Sequence, residues 1–224
     1  MGRAISEVLP FAIGVAISPA TIIAVILVLF SARARVNGPV FALGWVVGVA
    51  VVSVVVYLVA DAGDVRSGGS ASDGSYWAKL VAGVLLVLLA FRHLRRHPAP
   101  GETPAQPKWM AAIDTLTPVK AAGLAVLLAA ANPKNLALSL AAGASLAQAG
   151  ASGGEAAVGL AVFVVIASVS VVVPVVLSLT AGERAAHVLD GWRAWLSAHN
   201  AAMMAVLFLV FGVVLFSQGL RGLT

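Results

Sequence analysis

One apolar stretch, residues 119–149, constrains this chain more than any other because its centre reads Asn132-Pro133-Lys134-Asn135. About 20 apolar residues are enough for a helix to cross a bilayer, so Lys134 is expected near the midplane. A charge at that depth costs about 2.5 to 3.5 kcal/mol and usually faces a cavity or a partner. Pro133 has no N–H, which leaves backbone polar groups unpaired at the same depth. Such backbone is tolerated only where protein or a water-filled cavity covers it, so this stretch predicts a functional site.

The composition indicates a polytopic all-α membrane protein. The chain is 61% hydrophobic and only 10% charged, whereas soluble domains carry about 25% charged residues. The apolar residues form continuous blocks, unlike the alternating segments of a transmembrane β-barrel. The cationic residues behind the net charge of +5 are spread over short loops. This distribution indicates that they set the membrane topology and do not bind nucleic acid. The chain has no cysteine, which excludes thiolate metal sites and thiol redox chemistry, and we expect neither a metal nor a cofactor.

The apolar blocks predict six transmembrane helices arranged as two halves of three. The first block is too long for the 7 to 15 apolar residues of a signal peptide, so it is expected to be a true span. The first and fourth spans are predicted to be broken at their central prolines. The predicted spans are residues 5–31, 40–60, 77–91, 119–149, 156–180 and 201–220. The predicted units are a first three-helix repeat (1–97), a cytoplasmic Pro-rich linker (98–118) and a second three-helix repeat (119–224).

The distribution of Lys and Arg predicts the orientation. Cytoplasmic loops carry the cationic excess. One set of loops holds nine cationic residues: Arg33, Arg35, Arg92, Arg95, Arg96, Lys108, Lys120, Arg184 and Arg193. The opposite set holds four: Arg3, Arg66, Lys79 and Arg221. The first set is therefore predicted to be cytoplasmic and both termini to lie outside.

An odd number of spans in each half means that the second half enters the membrane in the opposite sense, which predicts a 3+3 inverted repeat. Pro19 and Pro133 lie 114 residues apart and each falls in the middle of its span. Residues 80–84 (Leu-Val-Ala-Gly-Val) resemble residues 209–213 (Leu-Val-Phe-Gly-Val) at an offset of 129. Gly44 and Gly159 correspond at 115. These matches favour internal repetition.

The two broken spans supply the candidate binding residues. Ser18 and Thr21 come from the first, and Lys134 comes from the fourth together with Asn132 and Asn135. Pro19 and Pro133 are the candidate hinges. Half-helix ends in transporters bind ions through freed backbone groups. The only formal charge of this pocket would be positive, so we expect an anionic group rather than a metal or a basic amino acid. The structural alternative is that Lys134 pairs with Asp114 or with a carbonyl group.

Two further segments carry interpretations of their own. Residues 183–200 combine tryptophan and leucine with arginine and histidine, which predicts an amphipathic helix on the inner surface. A simple connector is the alternative. The Gly44 to Gly48 spacing is typical of a helix-packing face, either within one subunit or in a homodimer. Because His93, His97, His187 and His199 all lie in predicted loops, the serines of the spans have no partner for nucleophilic catalysis, and an enzyme is not expected.

Three stretches carry a resemblance to a known family: Pro107-Lys108-Trp109, Ile113-Asp114 and residues 132–136. In these stretches the sequence resembles the GAP family of actinobacterial membrane proteins, also called Sap, the sulfolipid-1 or glycopeptidolipid addressing proteins, of the lysine-exporter (LysE) superfamily. It implies a 3+3 inverted repeat in the bacterial cytoplasmic membrane. It also implies transport of envelope glycolipids or related amphiphiles, and it adds Asp114 at the cytoplasmic mouth to the candidate site.

The function we expect is therefore an exporter or flippase for an anionic lipid, glycolipid or amphiphilic metabolite, working by alternating access at a midplane site. A membrane scaffold that positions lipid-synthesis enzymes is a second hypothesis. A small-solute or ion exporter of the LysE type is a third, and it predicts an aqueous pocket without a lateral opening.

Overall fold

A computed structural model describes residues 2–66, 73–95, 116–151 and 153–223. All regular secondary structure in these ranges is helical. The helices are α1 (Gly2–Ala16), α2 (Pro19–Leu29), α3 (Ala34–Arg66), α4 (Asp73–Arg95), α5 (Pro118–Ala130), α6 (Pro133–Gln148), α7 (Gly153–Ala181) and α8 (Glu183–Leu223). Asp114 and residues 98–115 of the Pro-rich linker lie outside the described residues, as do residues 67–72 between α3 and α4.

The two predicted breaks fall where the prolines demand them. Pro19 and Pro133 each begin a helix, the position where a missing N–H costs nothing. The preceding residues, Ser18 and Asn132, are extended, as a following proline requires. The chain bends by 55° between α1 and α2 and by 60° between α5 and α6.

Within the described residues, three helices are long and apolar enough to cross a membrane: α3, α7 and α8. The total rises to five candidate spans if each bent pair, α1–α2 and α5–α6, counts as one. Over its length of 73–95, α4 does not meet the same criteria, although it contains the predicted third span. Its ends are polar, with Asp73 at one and Arg92 and Arg95 at the other.

The last helix differs from expectation. Residues 183–200 do not form a separate surface helix but continue without interruption into the last predicted span as α8, which has 41 residues. A straight helix of that length measures about 62 Å, roughly twice the hydrocarbon thickness of a bilayer. Only part of α8 is therefore needed for one crossing. Its sequence has no proline near residue 200 to end the helix.

The connections between helices gather at two ends of the bundle. The Arg193 guanidinium lies 5.8 Å from the centre of the Phe30 ring, so the start of α8 is beside the α2–α3 connection. Asn37 Nδ2 donates to the Leu116 carbonyl at 2.9 Å and brings the start of α5 to the same end. We call this the basic end. At the other end, the Tyr57 hydroxyl donates to the Ala151 carbonyl at 2.8 Å, joining α3 to the α6–α7 connection.

Small residues set the closest helix contacts. Among the described helices, α4 packs most extensively against α8, followed by α3 against α5 and α1 against α7. Gly44 and Gly48 of α3 face Ala122, Val126 and Ala129 of α5, so this glycine face is used within the chain. The core of the bundle also includes Trp45, which is fully buried and donates its indole N–H to the Ala167 carbonyl.

Candidate functional site

Lys134 is buried between the two broken spans. It is the second residue of α6, and only 1% of its surface is exposed. Its ammonium donates hydrogen bonds to the carbonyl groups of Gly14 and Ile17, both at 2.8 Å. Lys134 therefore links the start of α6 directly to the break between α1 and α2.

The carbonyl groups that Lys134 binds are available because of the first break. The N–H of Ser18 donates to the Ala16 carbonyl at 2.9 Å, so it does not reach back four residues to Gly14. The C-terminal end of a helix carries partial negative charge, and a cation there is favourable. Of the alternatives that the sequence left open for Lys134, the structure therefore shows pairing with carbonyl groups.

The neighbouring Asn135 performs the same task for the second break. Its Nδ2 donates to the Leu128 carbonyl at 3.1 Å. Leu128 lies five residues before Pro133, as Gly14 lies five residues before Pro19. Consecutive side chains of α6 thus cap equivalent carbonyl groups, one in each broken span. The Asn135 Oδ1 atom is buried and has no hydrogen-bond partner in the described part of the chain.

The cluster of polar side chains around the breaks also contains Asn132, Ser18 and Thr21. Asn132 Oδ1 accepts a hydrogen bond from the Lys134 backbone N–H at 3.0 Å and so caps α6. Thr21 donates its hydroxyl to Ser18 Oγ at 3.1 Å, and both side chains are fully buried. Ile17, whose carbonyl binds Lys134, directly precedes Ser18. The structure thus brings together the two breaks that supply all the predicted site residues except Asp114.

A second buried lysine was not identified as a site residue by sequence reasoning, which counted it among the outer loops. Lys79 of α4 is 5% exposed, and its Nζ donates to Gln148 Oε1 of α6 at 2.6 Å. Glu7 of α1 lies close enough to act on its charge. Its position as the third residue of the predicted third span was the available signal.

An apolar groove adjoins the start of α6. It has a volume of about 460 Å³ and lies between α4 and α6. We call it the α4–α6 groove. Pro133 is at one end of its α6 wall, next to Lys134, and Leu140 at the other. It is lined by Trp77, Val81, Ala82, Leu85, Pro133, Leu136, Ala137 and Leu140. Several of these side chains are exposed on the surface of the bundle, so the groove is a lateral one.

The apolar helices define a multi-pass membrane protein with a cluster of polar side chains enclosed between two broken helices. The chain belongs to the family described as Sap, sulfolipid-1-addressing protein, which matches residues 8–221. The family assignment made from residues 107–109, 113–114 and 132–136 is thereby confirmed. Neither the curated proteins nor the solved structures include a match.

Proposed function

We propose that this protein is a carrier, not an enzyme, that moves an anionic lipid, glycolipid or amphiphilic metabolite of the cell envelope across the bacterial cytoplasmic membrane. The observation that carries the proposal is the buried Lys134 ammonium bonded to the carbonyl groups of Gly14 and Ile17. A purely structural hydrogen bond to these carbonyl groups could come from a neutral donor, as the Asn135 amide shows by binding the Leu128 carbonyl. A cation at this place adds the ability to bind an anion.

The packing supports a 3+3 inverted repeat as the basis of movement. The repeat would match α1–α2 to α5–α6, α3 to α7 and α4 to α8. Under this matching, the contact of α1 with α7 corresponds to the contact of α5 with α3. The contact of α2 with α8 corresponds to that of α6 with α4. Carriers built from inverted repeats alternate access by moving one repeat against the other around a central site. Such repeats are also what the proposed LysE-superfamily relationship implies.

In this proposal the structure represents an occluded arrangement. The Lys134 ammonium and the end of α1 satisfy each other, so no unpaired charge remains at this site. An anionic head group would replace the two carbonyl groups as acceptor, and Asn132 and Asn135 would orient it. The repeats would then be free to move about Pro19 and Pro133. The basic end, which carries Arg33, Arg35, Lys120, Arg184 and Arg193, would face the cytoplasm, leaving both termini outside.

The α4–α6 groove supports the proposal that the substrate is an amphiphile and not a small solute. Its walls are almost entirely apolar, and it begins beside Lys134. A substrate with an anionic head and an acyl chain would place its head on the ammonium and its chain in the groove. A sulfolipid, the molecule in the family's name, has that chemistry. A small-solute exporter of the LysE type has no use for a lateral groove of this kind.

The test is reconstitution in liposomes with fluorescently labelled phosphatidylglycerol and phosphatidylcholine as probes. We expect Lys134→Met to reduce movement of the anionic probe by at least about tenfold, the loss expected when a charged hydrogen-bonding group is removed. The matched control is Lys120→Met, because Lys120 is exposed in the first turn of α5. A folded Lys134→Met protein that moves the anionic probe at the rate of the unmodified chain would contradict the proposal.

The second candidate is the non-transporting scaffold. It gives the two hydrogen bonds of the Lys134 ammonium a purely structural role. The scaffold hypothesis predicts that Lys134→Met lowers thermal stability but retains cellular function once the protein is folded. It also predicts no lipid movement by the unmodified chain in liposomes.

A further inference from the structure

A second apolar groove lies between α2, α7 and α8. We call it the tryptophan groove. Its volume is about 450 Å³, close to that of the α4–α6 groove. Its walls include Ile22 of α2, Val169, Val173 and Pro174 of α7, and Trp192 and Trp195 of α8. Trp195 is 55% exposed, so the groove opens on the surface of the bundle.

Each groove is set against the first turn of a half-helix that follows a break. Ile22 lies three residues after Pro19, and Leu136 lies three residues after Pro133. The other walls are not related by the offset of 129, which places Trp77 and Leu85 of α4 on Val206 and Val214 of α8 and not on Trp192 and Trp195. The tryptophan groove is therefore a site of its own.

The wall of the tryptophan groove contains one polar position. Pro174 has no N–H, so the carbonyl of Ser170 cannot receive the usual helical hydrogen bond from residue 174. The Ser170 hydroxyl is buried and has no hydrogen-bond partner among the described residues. A hydroxyl at this position can donate to the ester or amide carbonyl of a lipid.

Positive charge lies beside the tryptophan groove. Arg193 lies between Trp192 and Trp195 on α8, and its guanidinium covers the ring of Phe30. It pairs with Asp190 at 3.0 Å, but both side chains are well exposed. Exposed pairs of this kind are weak and an anion can compete for the arginine. Arg33 and Arg35 follow Phe30 at the same end of the bundle.

We propose that the tryptophan groove binds the acyl chain of an anionic membrane lipid whose head group is held by Arg193. The apolar walls, the free Ser170 hydroxyl and the adjacent guanidinium match the chain, the carbonyl linkage and the anionic head of one molecule. Lipid binding in the groove does not depend on the proposed function. The role we give to that binding does depend on it: the groove would load substrate from the leaflet at the basic end. The α4–α6 groove then serves the other side of the same path.

The binding step can be measured without transport. The chain has no cysteine, so Val173→Cys can be labelled with a small fluorophore inside the groove. The matched position is Val165→Cys, on the same helix and 65% exposed, but not part of the groove wall. Vesicles contain phosphatidylglycerol or phosphatidylcholine with brominated acyl chains, which quench the fluorophore on contact.

We expect brominated phosphatidylglycerol to quench at Val173→Cys at about a fivefold lower mole fraction than brominated phosphatidylcholine, the preference that one cation gives for an anionic lipid. At Val165→Cys the two lipids should quench equally. Adding Arg193→Gln should remove the head-group preference at position 173 while leaving quenching by phosphatidylcholine unchanged.

Equal quenching by the two lipids at position 173, or a preference that survives Arg193→Gln, would overturn the proposal. Disulfide-linked dimers of unlabelled Val173→Cys at low protein-to-lipid ratio would also overturn it, because a second copy would then occupy the groove. Lys134→Met serves to separate the two proposals. If lipid movement persists in that variant while the preference at position 173 is intact, the central carrier mechanism fails and the groove stands.

Discussion

Gly83 of α4 and Gly212 of α8 face each other where the two helices cross, and each glycine contacts the residue four positions after the other glycine. A Cβ atom at Gly83 would lie 2.5 Å from the Phe216 backbone N, and one at Gly212 would lie 2.9 Å from the Val87 backbone N. Gly83 and Gly212 are 129 residues apart, as are Val87 and Phe216. The offset is the one that relates residues 80–84 to 209–213 in the sequence. The inverted repeat proposed above predicts such an exchange of contacts, because it makes α4 and α8 corresponding helices.

This crossing should be sensitive to any added side chain. Gly83→Ala and Gly212→Ala are each expected to lower the free energy of unfolding by about 1 to 3 kcal/mol, because the new methyl group meets backbone atoms that cannot move aside. Thermal unfolding in detergent measures the effect. Gly123→Ala is the control, since a Cβ there has no neighbour within 4 Å. Equal stability of the Gly83 and Gly123 variants would show that the helices are not this close.

Removal of the Lys134 ammonium should also destabilise the fold. In Lys134→Met the Gly14 and Ile17 carbonyl groups lose their donor in the core of the bundle. Each buried acceptor without a donor costs about 1 to 3 kcal/mol, part of which is offset by no longer burying a charge. We expect a net loss of about 2 kcal/mol relative to Lys120→Met in the same unfolding assay. A variant as stable as this control would mean that the carbonyl groups find other donors.

The caps of the two half-helices are not equivalent, although their prolines are. Asn132 caps α6 through its side chain, whereas Ser18 precedes α2 without capping it within the described chain. Asn132→Ala should therefore cost about 1 kcal/mol, and Asn132→Ser should retain most of the stability. Ser18→Ala loses only the contact with Thr21 and should cost less than Asn132→Ala. The reverse order would contradict this assignment of caps.

The orientation can be tested by labelling single cysteines with a membrane-impermeant maleimide, against a parent chain that has no cysteine. Ala32 and Lys120 are exposed at the basic end, and Gly154 is exposed at the start of α7. In intact cells we expect Gly154→Cys to react and Ala32→Cys and Lys120→Cys to react only after permeabilisation, because basic loops stay in the cytoplasm. The opposite pattern would place both termini inside.

A bulky residue in the α4–α6 groove should separate long-chain from short-chain substrates. Leu140→Trp extends a ring into the groove, and Leu88→Trp places the same ring on an exposed position of α4 outside it. We expect Leu140→Trp to slow movement of long-chain labelled phosphatidylglycerol by about tenfold, the loss associated with roughly two buried methylene groups. A short-chain analogue should be affected less. Equal slowing by Leu88→Trp would rule out a role for the groove.

Local sequence chemistry was sufficient for the helices and for the two breaks. Proline has no N–H and restricts the residue before it, so Pro19 and Pro133 fix where α2 and α6 begin in any fold. It was not sufficient for the bounds of the other helices. The marginal third span became part of the 23-residue α4, and the expected surface helix at 183–200 became the first part of α8. Helix ends without proline depend on what they pack against.

The sequence by itself thus determined a multi-pass helical protein of the Sap family, with broken first and fourth spans and a lysine beside the second break. Only the tertiary structure decided that this lysine binds the Gly14 carbonyl, that Asn135 caps the equivalent carbonyl of Leu128, and that Lys79 is buried against Gln148. Two apolar grooves likewise emerged only from the packing of the helices. The physical reason is that proline and hydropathy act within a few residues of the chain, whereas a hydrogen bond between positions 14 and 134 exists only once the helices have packed.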